Sequence, residues 1–139
     1  MGPNPCRIEI MKTRTFKLNK LVRDRIVELT KSYGGSVEYK TLSGKELNKA
    51  LLEKLVEEVR EMQAAELEAG ELADLQEIIG QLAKNLKITD TELTNKQDKK
   101  RTSNGGFAKG HFISTVTLPS DNKWAKYYAA DPKRFPEID

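Results

Sequence analysis

The sequence has only one cysteine, Cys6, and one histidine, His111, in 139 residues. A single cysteine excludes an internal disulfide and a cysteine-based zinc site. No serine or cysteine motif lies near His111, so a hydrolase triad has no support. No apolar run approaches the roughly 20 residues that a transmembrane helix needs. The first 17 residues also lack the apolar core of a signal peptide. We therefore expect a cytoplasmic protein that does not use a membrane.

Acidic residues are concentrated in the stretch 57–77. Successive residues of a helix turn by about 100°, which groups the apolar residues before and within this stretch into one stripe. That stripe comprises Leu47, Leu51, Leu55, Val59 and Met62. Glu58 falls inside the stripe, Glu61 falls at its margin, and Glu57 lies further round toward water. Because a buried and unpaired carboxylate is costly, the position of Glu58 requires an explanation.

A second acidic cluster repeats this geometry. Its apolar stripe comprises Leu72, Leu75, Ile78, Ile79, Leu82 and Leu86. Glu71 falls inside the stripe, Asp74 at its margin and Glu77 beyond it. If one straight helix ran through Gly70, this stripe would emerge about 200° round from the first. We therefore predict a bend between Ala65 and Glu71, most naturally at Gly70, and two antiparallel neighbouring helices.

Four carboxylates then face one another across the predicted helix pair. They are Glu58, Glu61, Glu71 and Asp74. A charge run taken alone is usually a solvated helix face, but the repeated position on two stripes favours a metal site. Oxygen-only ligands suit Mg²⁺, Mn²⁺ or Ca²⁺ rather than Zn²⁺. Glu57 and Glu77 are second-tier candidates, as outer ligands or as plain surface residues.

Caps and apolar spacing predict the helices of the chain. We expect them over about 22–33, 43–67, 71–87 and 89–104. Ser43 with Glu46, and Thr89 with Glu92, have the spacing of a capping box. The end of the fourth helix is strongly basic, which is also typical of a solvated helix C-terminus.

Two segments, 36–42 and 111–118, alternate or carry β-branched residues and are predicted to pair as a small two-stranded element. The fold class is therefore mainly α, with one principal domain. We expect an N-terminal arm over residues 1–17, the domain over 18–118 and an aromatic and proline-rich tail over 119–139.

The motif E-x-x-E followed by E-x-x-D on an antiparallel helix pair resembles the MazG-like all-α nucleoside triphosphate pyrophosphohydrolases. Two flanking stretches, NKLVRD at 19–24 and GGF at 105–107, are similar to the phosphoribosyl-ATP pyrophosphohydrolase-like branch. The resemblance extends from about Leu18 to Ile113. It implies a four-helix fold in which the helix hairpin carries the active site, and it implies a homodimer.

The resemblance also implies a reaction. The enzyme would use Mg²⁺, with Mn²⁺ as an alternative, to cleave between the α and β phosphates and release a nucleoside monophosphate and pyrophosphate. Glu58 or Glu61 would accept the proton of the attacking water. The resemblance implies Lys20 and Arg23 as phosphate or structural anchors. Independently of it, the cations at 99–101 are either a phosphate clamp or a solvated helix end, and Gly105 and Gly106 allow backbone amides to approach an anion closely. We therefore also predict phosphate binding by Lys100, Gly105 and Gly106. The chain departs from the family at Val27, where proline is usual, and at Asn104, where arginine is usual.

Three alternatives remain open at the level of sequence. One is phosphoribosyl-ATP hydrolysis in histidine biosynthesis. Another is a helical interaction module whose acidic seam binds a basic partner. The third is a nucleic-acid binder that uses the basic residues of 96–101. A basic surface suits a polyphosphate and also weak nucleic-acid binding, so charge alone does not separate the two, and we do not expect nucleic acid as the partner.

Overall fold

A computed structural model describes residues 12–139. Residues 1–11, which include Cys6 and most of the predicted N-terminal arm, lie outside the described residues. The described part contains five helices and no strand, which confirms the mainly α class. The helices are α1 (Ile26–Ser32), α2 (Gly44–Ala64), α3 (Ala69–Asn85), α4 (Asp90–Asn104) and α5 (Lys123–Ala129). Two compact units divide the chain, one ending at Lys96 and the other running over Gln97–Asp139.

The helices α2 and α3 form the antiparallel hairpin that the acidic stretch predicts. Within residues 12–96 they are the only helices that pack against each other. The chain turns over residues 65–68, and Ala65 (φ −125°, ψ 177°) and Glu68 (φ −122°, ψ 162°) are both extended. The prediction that Gly70 makes the bend is wrong, because Gly70 lies in the first turn of α3. An extended backbone is open to any residue, so this turn does not require glycine.

The hairpin buries Leu51 of α2 and both Ile78 and Ala83 of α3. Leu55, Met62, Leu75 and Leu82 are half-buried along the same seam. Other apolar residues of the two helices remain exposed, among them Leu52, Val56, Leu72, Ile79 and Leu86. The apolar stripes are therefore wider than the single seam that the two helices cover.

Local backbone and side-chain bonds set the junction between α3 and α4. Lys87 has a left-handed φ of 58°, its N–H donates to Lys84, and the N–H of Ile88 donates to the carbonyl of Ala83 at 2.8 Å. This pair of bonds is a Schellman motif, which ends α3. The capping box of α4 is confirmed. The Thr89 N–H donates to Glu92 Oε2 at 2.8 Å, and the Glu92 N–H donates to Thr89 Oγ1 at 3.1 Å.

Several local predictions are wrong. The helix α1 begins at Ile26 rather than near residue 22. Ser43 is the N-cap residue of α2, but its side chain makes no capping bond, since the chain enters the helix through Gly44 at φ 56°. Neither 36–42 nor 111–118 is a strand. A strand needs a partner for its backbone N–H and C=O groups, and β-branched composition alone does not supply one.

The helix α5 was not predicted from the sequence. The N–H of Trp124 donates to the Asn122 side chain at 2.8 Å, which caps the helix. The rings of Trp124, Tyr127, Tyr128 and Phe135 then pack on one another, with centroids 4.9–5.9 Å apart along the chain of contacts. Such tilted and edge-on ring pairs stabilise a short segment beyond their area alone. No helix among residues 12–139 has both the length and the apolar content needed to cross a bilayer.

Candidate functional site

A cross-hairpin hydrogen bond fixes the register of the carboxylates. Asn85 Nδ2 of α3 donates to Asn48 Oδ1 of α2 at 2.9 Å. Counting from this pair toward the turn, Glu58 lies level with Leu75, and Glu71 lies level with Met62. These two levels are about 6 Å apart along the helix axis, since each residue rises about 1.5 Å. All four predicted ligands therefore lie within about two helical turns at the end of the hairpin nearest the turn.

Glu58 is the most buried charged residue of the described chain, with 6% of its surface exposed. Its Oε1 atom lies 3.0 Å from Lys54 Nζ, one helical turn earlier on α2. Lys54 Nζ also lies 3.3 Å from Glu57 Oε1. Burial lowers the pKa of Lys54, but hydrogen bonds to Glu58 and Glu57 raise it by more, so the net shift is upward. Lys54 therefore stays protonated and supplies the counter-charge that Glu58 needs in the seam.

Glu71 is partly buried at the start of α3, and its Oε2 atom is the one buried side-chain oxygen or nitrogen in the described residues that has no hydrogen-bond partner. Most buried polar atoms in proteins are hydrogen-bonded, so an orphaned carboxylate oxygen points to a ligand. The periodicity of the sequence placed Glu71 inside the apolar stripe, and the burial of this oxygen agrees with that position.

The segment before α1 brings two cations to the carboxylates. Lys20 Nζ lies 2.8 Å from Glu57 Oε1 on α2. Arg23 Nη2 bonds Asp74 Oδ1 on α3. Leu21 and Val22 between them are half-buried. The short segment 20–23 therefore spans both helices of the hairpin, with one cation directed to each helix.

These pairs shift the pKa values of the groups involved. The hydrogen bond from Lys20 is the largest influence on Glu57 and lowers its pKa, with Lys54 adding to the shift. The hydrogen bond to Asp74, and then the charge of Asp74, raise the pKa of Arg23, and Glu77 and Glu58 add to the rise through their charges. Arg23 thus lies in the combined field of carboxylates from both α2 and α3.

The other predicted carboxylates of the site make fewer contacts. Glu61 and Glu77 are both exposed, and neither forms an ion pair among residues 12–139. Across that same range, no three acidic, histidine or cysteine side chains lie close enough together to hold a metal ion. Lys20, Arg23 and Lys54 instead pair with the carboxylates. The structure therefore brings the predicted ligands to one end of the hairpin without closing them into a coordination shell.

The predicted phosphate-binding residues Lys100, Gly105 and Gly106 lie in the second unit. They line a concavity at the end of α4, with a volume of about 540 Å³. Gly105 has φ 82°, a left-handed value that favours glycine, and its N–H donates to the carbonyl of Arg101 at 2.8 Å. Asn104 also lines this surface, at the position where the family resemblance leads us to expect arginine.

Lys54 pairs with two carboxylates of the hairpin but is not among the residues predicted from the sequence. Its spacing to Glu57 and Glu58, three and four residues, is the spacing that brings side chains together on one helix face. That spacing is a signal visible in the sequence. Its weight depends on the burial of Glu58, which the structure shows.

Comparison of the chain with protein-family models, with curated proteins and with solved structures finds no match.

Proposed function

We propose that the protein is a Mg²⁺-dependent nucleoside triphosphate pyrophosphohydrolase whose active site is the carboxylate end of the α2–α3 hairpin. The observation that carries this proposal is the buried and unpartnered Oε2 atom of Glu71, about one helical turn along the seam from the buried Glu58. Lys54 supplies a counter-charge for Glu58, but a plain structural hairpin has no reason to leave the buried oxygen of Glu71 without a partner. The proposal includes a MazG-like arrangement of the helices around this hairpin.

The donor set fits a hard divalent cation. Glu58, Glu61, Glu71 and Asp74 offer only carboxylate oxygens, the donors that suit Mg²⁺ and Mn²⁺. When bound, such an ion neutralises charge on phosphate oxygens and lowers the pKa of a bound water. The four carboxylates lie within about two turns along the hairpin, so metal binding in this proposal requires a change of rotamer at exposed positions such as Glu61.

The cations around the site have a role in substrate binding. Lys20 and Arg23 pair with Glu57 and Asp74, and both cations are solvent-accessible. A polyphosphate is a stronger partner for them than a single carboxylate, because charge-assisted bonds to several oxygens add together. Arg23, with its planar fork of donors, is suited to hold two phosphate oxygens at once.

Glu61 is the better candidate for the general base. It is exposed and has no ion-pair partner among the described residues, whereas Glu58 is bonded to Lys54. A carboxylate that is free to accept a proton from water fits this role. Hydrolysis between the α and β phosphates would then give a nucleoside monophosphate and pyrophosphate.

The test is pyrophosphate release from a panel of nucleoside triphosphates, with and without Mg²⁺. We expect activity only with the metal, and we expect Glu58→Gln and Glu71→Gln to abolish it while Glu53→Gln, an exposed position on α2, leaves it unchanged. Thermal melts add a second measurement. Mg²⁺ at ~100 times its Kd should stabilise the wild type by about 2.7 kcal/mol. Glu58→Gln and Glu71→Gln should lose that response, and Glu53→Gln should keep it. If Mg²⁺ stabilises Glu58→Gln and Glu71→Gln as much as Glu53→Gln, the proposed site is wrong.

The proposal also includes a homodimer. Exposed apolar residues of the hairpin, among them Leu52, Val56, Ile79 and Leu86, are a suitable surface for a second copy of the chain. Light scattering of the purified protein tests this part, and a monomer at micromolar concentration contradicts it.

A further inference from the structure

The last two turns of α4 present one polar face that continues into the following loop. Gln97, Lys100, Arg101 and Asn104 recur at the spacing of one helix face. The left-handed Gly105 then turns the chain, so that Gly106 and Phe107 close the other side of a concave surface of about 540 Å³. All seven lining residues are exposed. The concavity is therefore open to a ligand from solvent.

The charge of this surface is positive. Lys100 and Arg101 are its two charged lining residues, and none of the lining residues is acidic. Arg101 Nη1 lies 3.5 Å from Asp98 Oδ1, which is a loose and exposed pair. Lys100 makes no ion pair among residues 12–139. Cations at a helix C-terminus are stabilised by the helix dipole, so the charge alone does not demand a ligand.

Phe107 is the feature that the helix dipole does not explain. Its side chain is 99% exposed at the rim of a cationic concavity. An exposed aromatic ring and two cations line the same concavity, which is the combination with which proteins bind single-stranded nucleic acid: bases stack on the ring and the positive charges follow the phosphates. The base and phosphates of a nucleotide offer the same two kinds of contact. The amides of Gln97 and Asn104 on the same surface each offer a donor and an acceptor to a base edge.

We propose that this surface binds the base and phosphates of a nucleotide, with the base on Phe107 and the phosphates on Lys100 and Arg101. The inference relies on the proposed function only for the ligand class, and it adds base recognition to a set of residues assigned to phosphate alone. It concerns binding, so it does not need the hairpin to be catalytic.

The experiment compares ATP with tripolyphosphate in EDTA, on the full-length chain, by amide NMR titration. Chelation of divalent cations removes the contribution of the hairpin carboxylates. We expect ATP to shift the amide resonances of Gly105 and Gly106 and to bind more tightly than tripolyphosphate. Phe107→Ala should weaken ATP binding about tenfold, the loss of one stacked base, and leave tripolyphosphate binding unchanged.

Two matched controls sharpen the result. Phe112 is 93% exposed but does not line the surface, so Phe112→Ala should leave ATP binding unchanged. Lys100→Ala should lower the affinity for both ATP and tripolyphosphate. Lys99 does not line the concavity, so Lys99→Ala should lower the two affinities by less than Lys100→Ala does. None of these residues is buried, so the variants keep the fold.

The inference is overturned if ATP and tripolyphosphate bind equally and Phe107→Ala changes neither. It is also overturned if the shifts map to residues 54–75 instead, or if Glu58→Gln abolishes ATP binding in EDTA. A protein that binds ATP in this way but releases no pyrophosphate contradicts only the proposed hydrolysis. A protein that hydrolyses triphosphates but gives no shift at Gly105 contradicts only this inference.

Discussion

The helices α3 and α4 are nearly equal in length, at 17 and 15 residues, but they are stabilised in different ways. Packing against α2 buries Ile78 and Ala83 of α3, whereas α4 buries no residue. A helix that is polar all round depends on its caps and on local side-chain pairs. The Thr89–Glu92 capping box and the Asp98–Arg101 pair are such local features of α4.

The charged side chains of the two regions differ in the same way. In the hairpin, three carboxylates are paired with cations: Glu57 with Lys20, Glu58 with Lys54 and Asp74 with Arg23. The cations of α4 are exposed, and their side chains are free to adjust to a ligand. An ion pair limits the positions that its side chains adopt, whereas an exposed cationic surface suits recruitment of an anion.

The hairpin core should dominate the stability of the chain. Ile78→Ala removes a buried side chain and should lower the free energy of unfolding by about 2–5 kcal/mol. Leu93→Ala on α4 removes a side chain that is 38% exposed and should cost well under half as much. Urea denaturation followed by circular dichroism measures both variants. Equal losses of unfolding free energy in the two variants would contradict the view that α3 is stabilised by packing and α4 is not.

The buried ion pair of the hairpin should come next in size. Lys54→Met leaves Glu58 buried without its nearest cation and should cost about 1–3 kcal/mol at neutral pH. Lys49 is exposed on the same helix and makes no ion pair in the described residues, so Lys49→Met is the control. Thermal or urea unfolding tests the pair. If the two variants are equally stable, Lys54 does not supply the counter-charge of Glu58.

The capping box of α4 should have a smaller and local effect. Thr89→Ala removes the side-chain acceptor for the Glu92 N–H and should cost about 1 kcal/mol. Hydrogen exchange should show faster exchange in the first turn of α4 and unchanged exchange in the middle of α3. Thr94→Ala, within α4, should change neither helix. A loss of protection that extends through α3 would mean that the two helices are stabilised together.

The smallest effect should be a pH dependence. Glu57 has a pKa below its ordinary value of 4.5, chiefly because Lys20 bonds to it. A lowered folded-state pKa contributes stability above pH 4.5 that is lost as the pH falls through the folded value. Lys20→Ala removes this contribution, so the variant should lose less stability than the wild type when the pH is lowered. The difference should be below about 1 kcal/mol, because the pair is partly exposed.

Acid titration of unfolding, compared with Arg25→Ala, measures this effect. Arg25 pairs with Glu28 where both side chains are about 70% exposed, so the loss of Arg25 should leave the acid limb of the stability curve unchanged. The raised pKa of Lys54 affects stability in the opposite pH range. Its contribution is present below the ordinary value of 10.5 and is lost as the pH rises through the folded value. An acid limb that is the same in the wild type and in Lys20→Ala would contradict the role of Lys20 in lowering the pKa of Glu57.

Much of the hairpin follows from sequence alone. The third helix was predicted over 71–87 and is observed over Ala69–Asn85. Helical periodicity also placed Glu58 among apolar side chains, and it is buried there. The Thr89–Glu92 box needs only residues three apart in one chain segment. These features are local, so the sequence by itself determined them through helix periodicity and capping.

Features that depend on distant partners were decided only by the tertiary structure. The segments 36–42 and 111–118 have strand-like composition but no ladder partner, so they remain irregular. Trp124, Tyr127 and Tyr128 have helical spacing, but the packing of the two tyrosine rings on Phe135, which lies beyond α5, is visible only in the structure. The pairing of Arg23 with Asp74 joins residues 51 positions apart. A contact of that separation depends on how the chain closes on itself, and the periodicity of a segment carries no information about it.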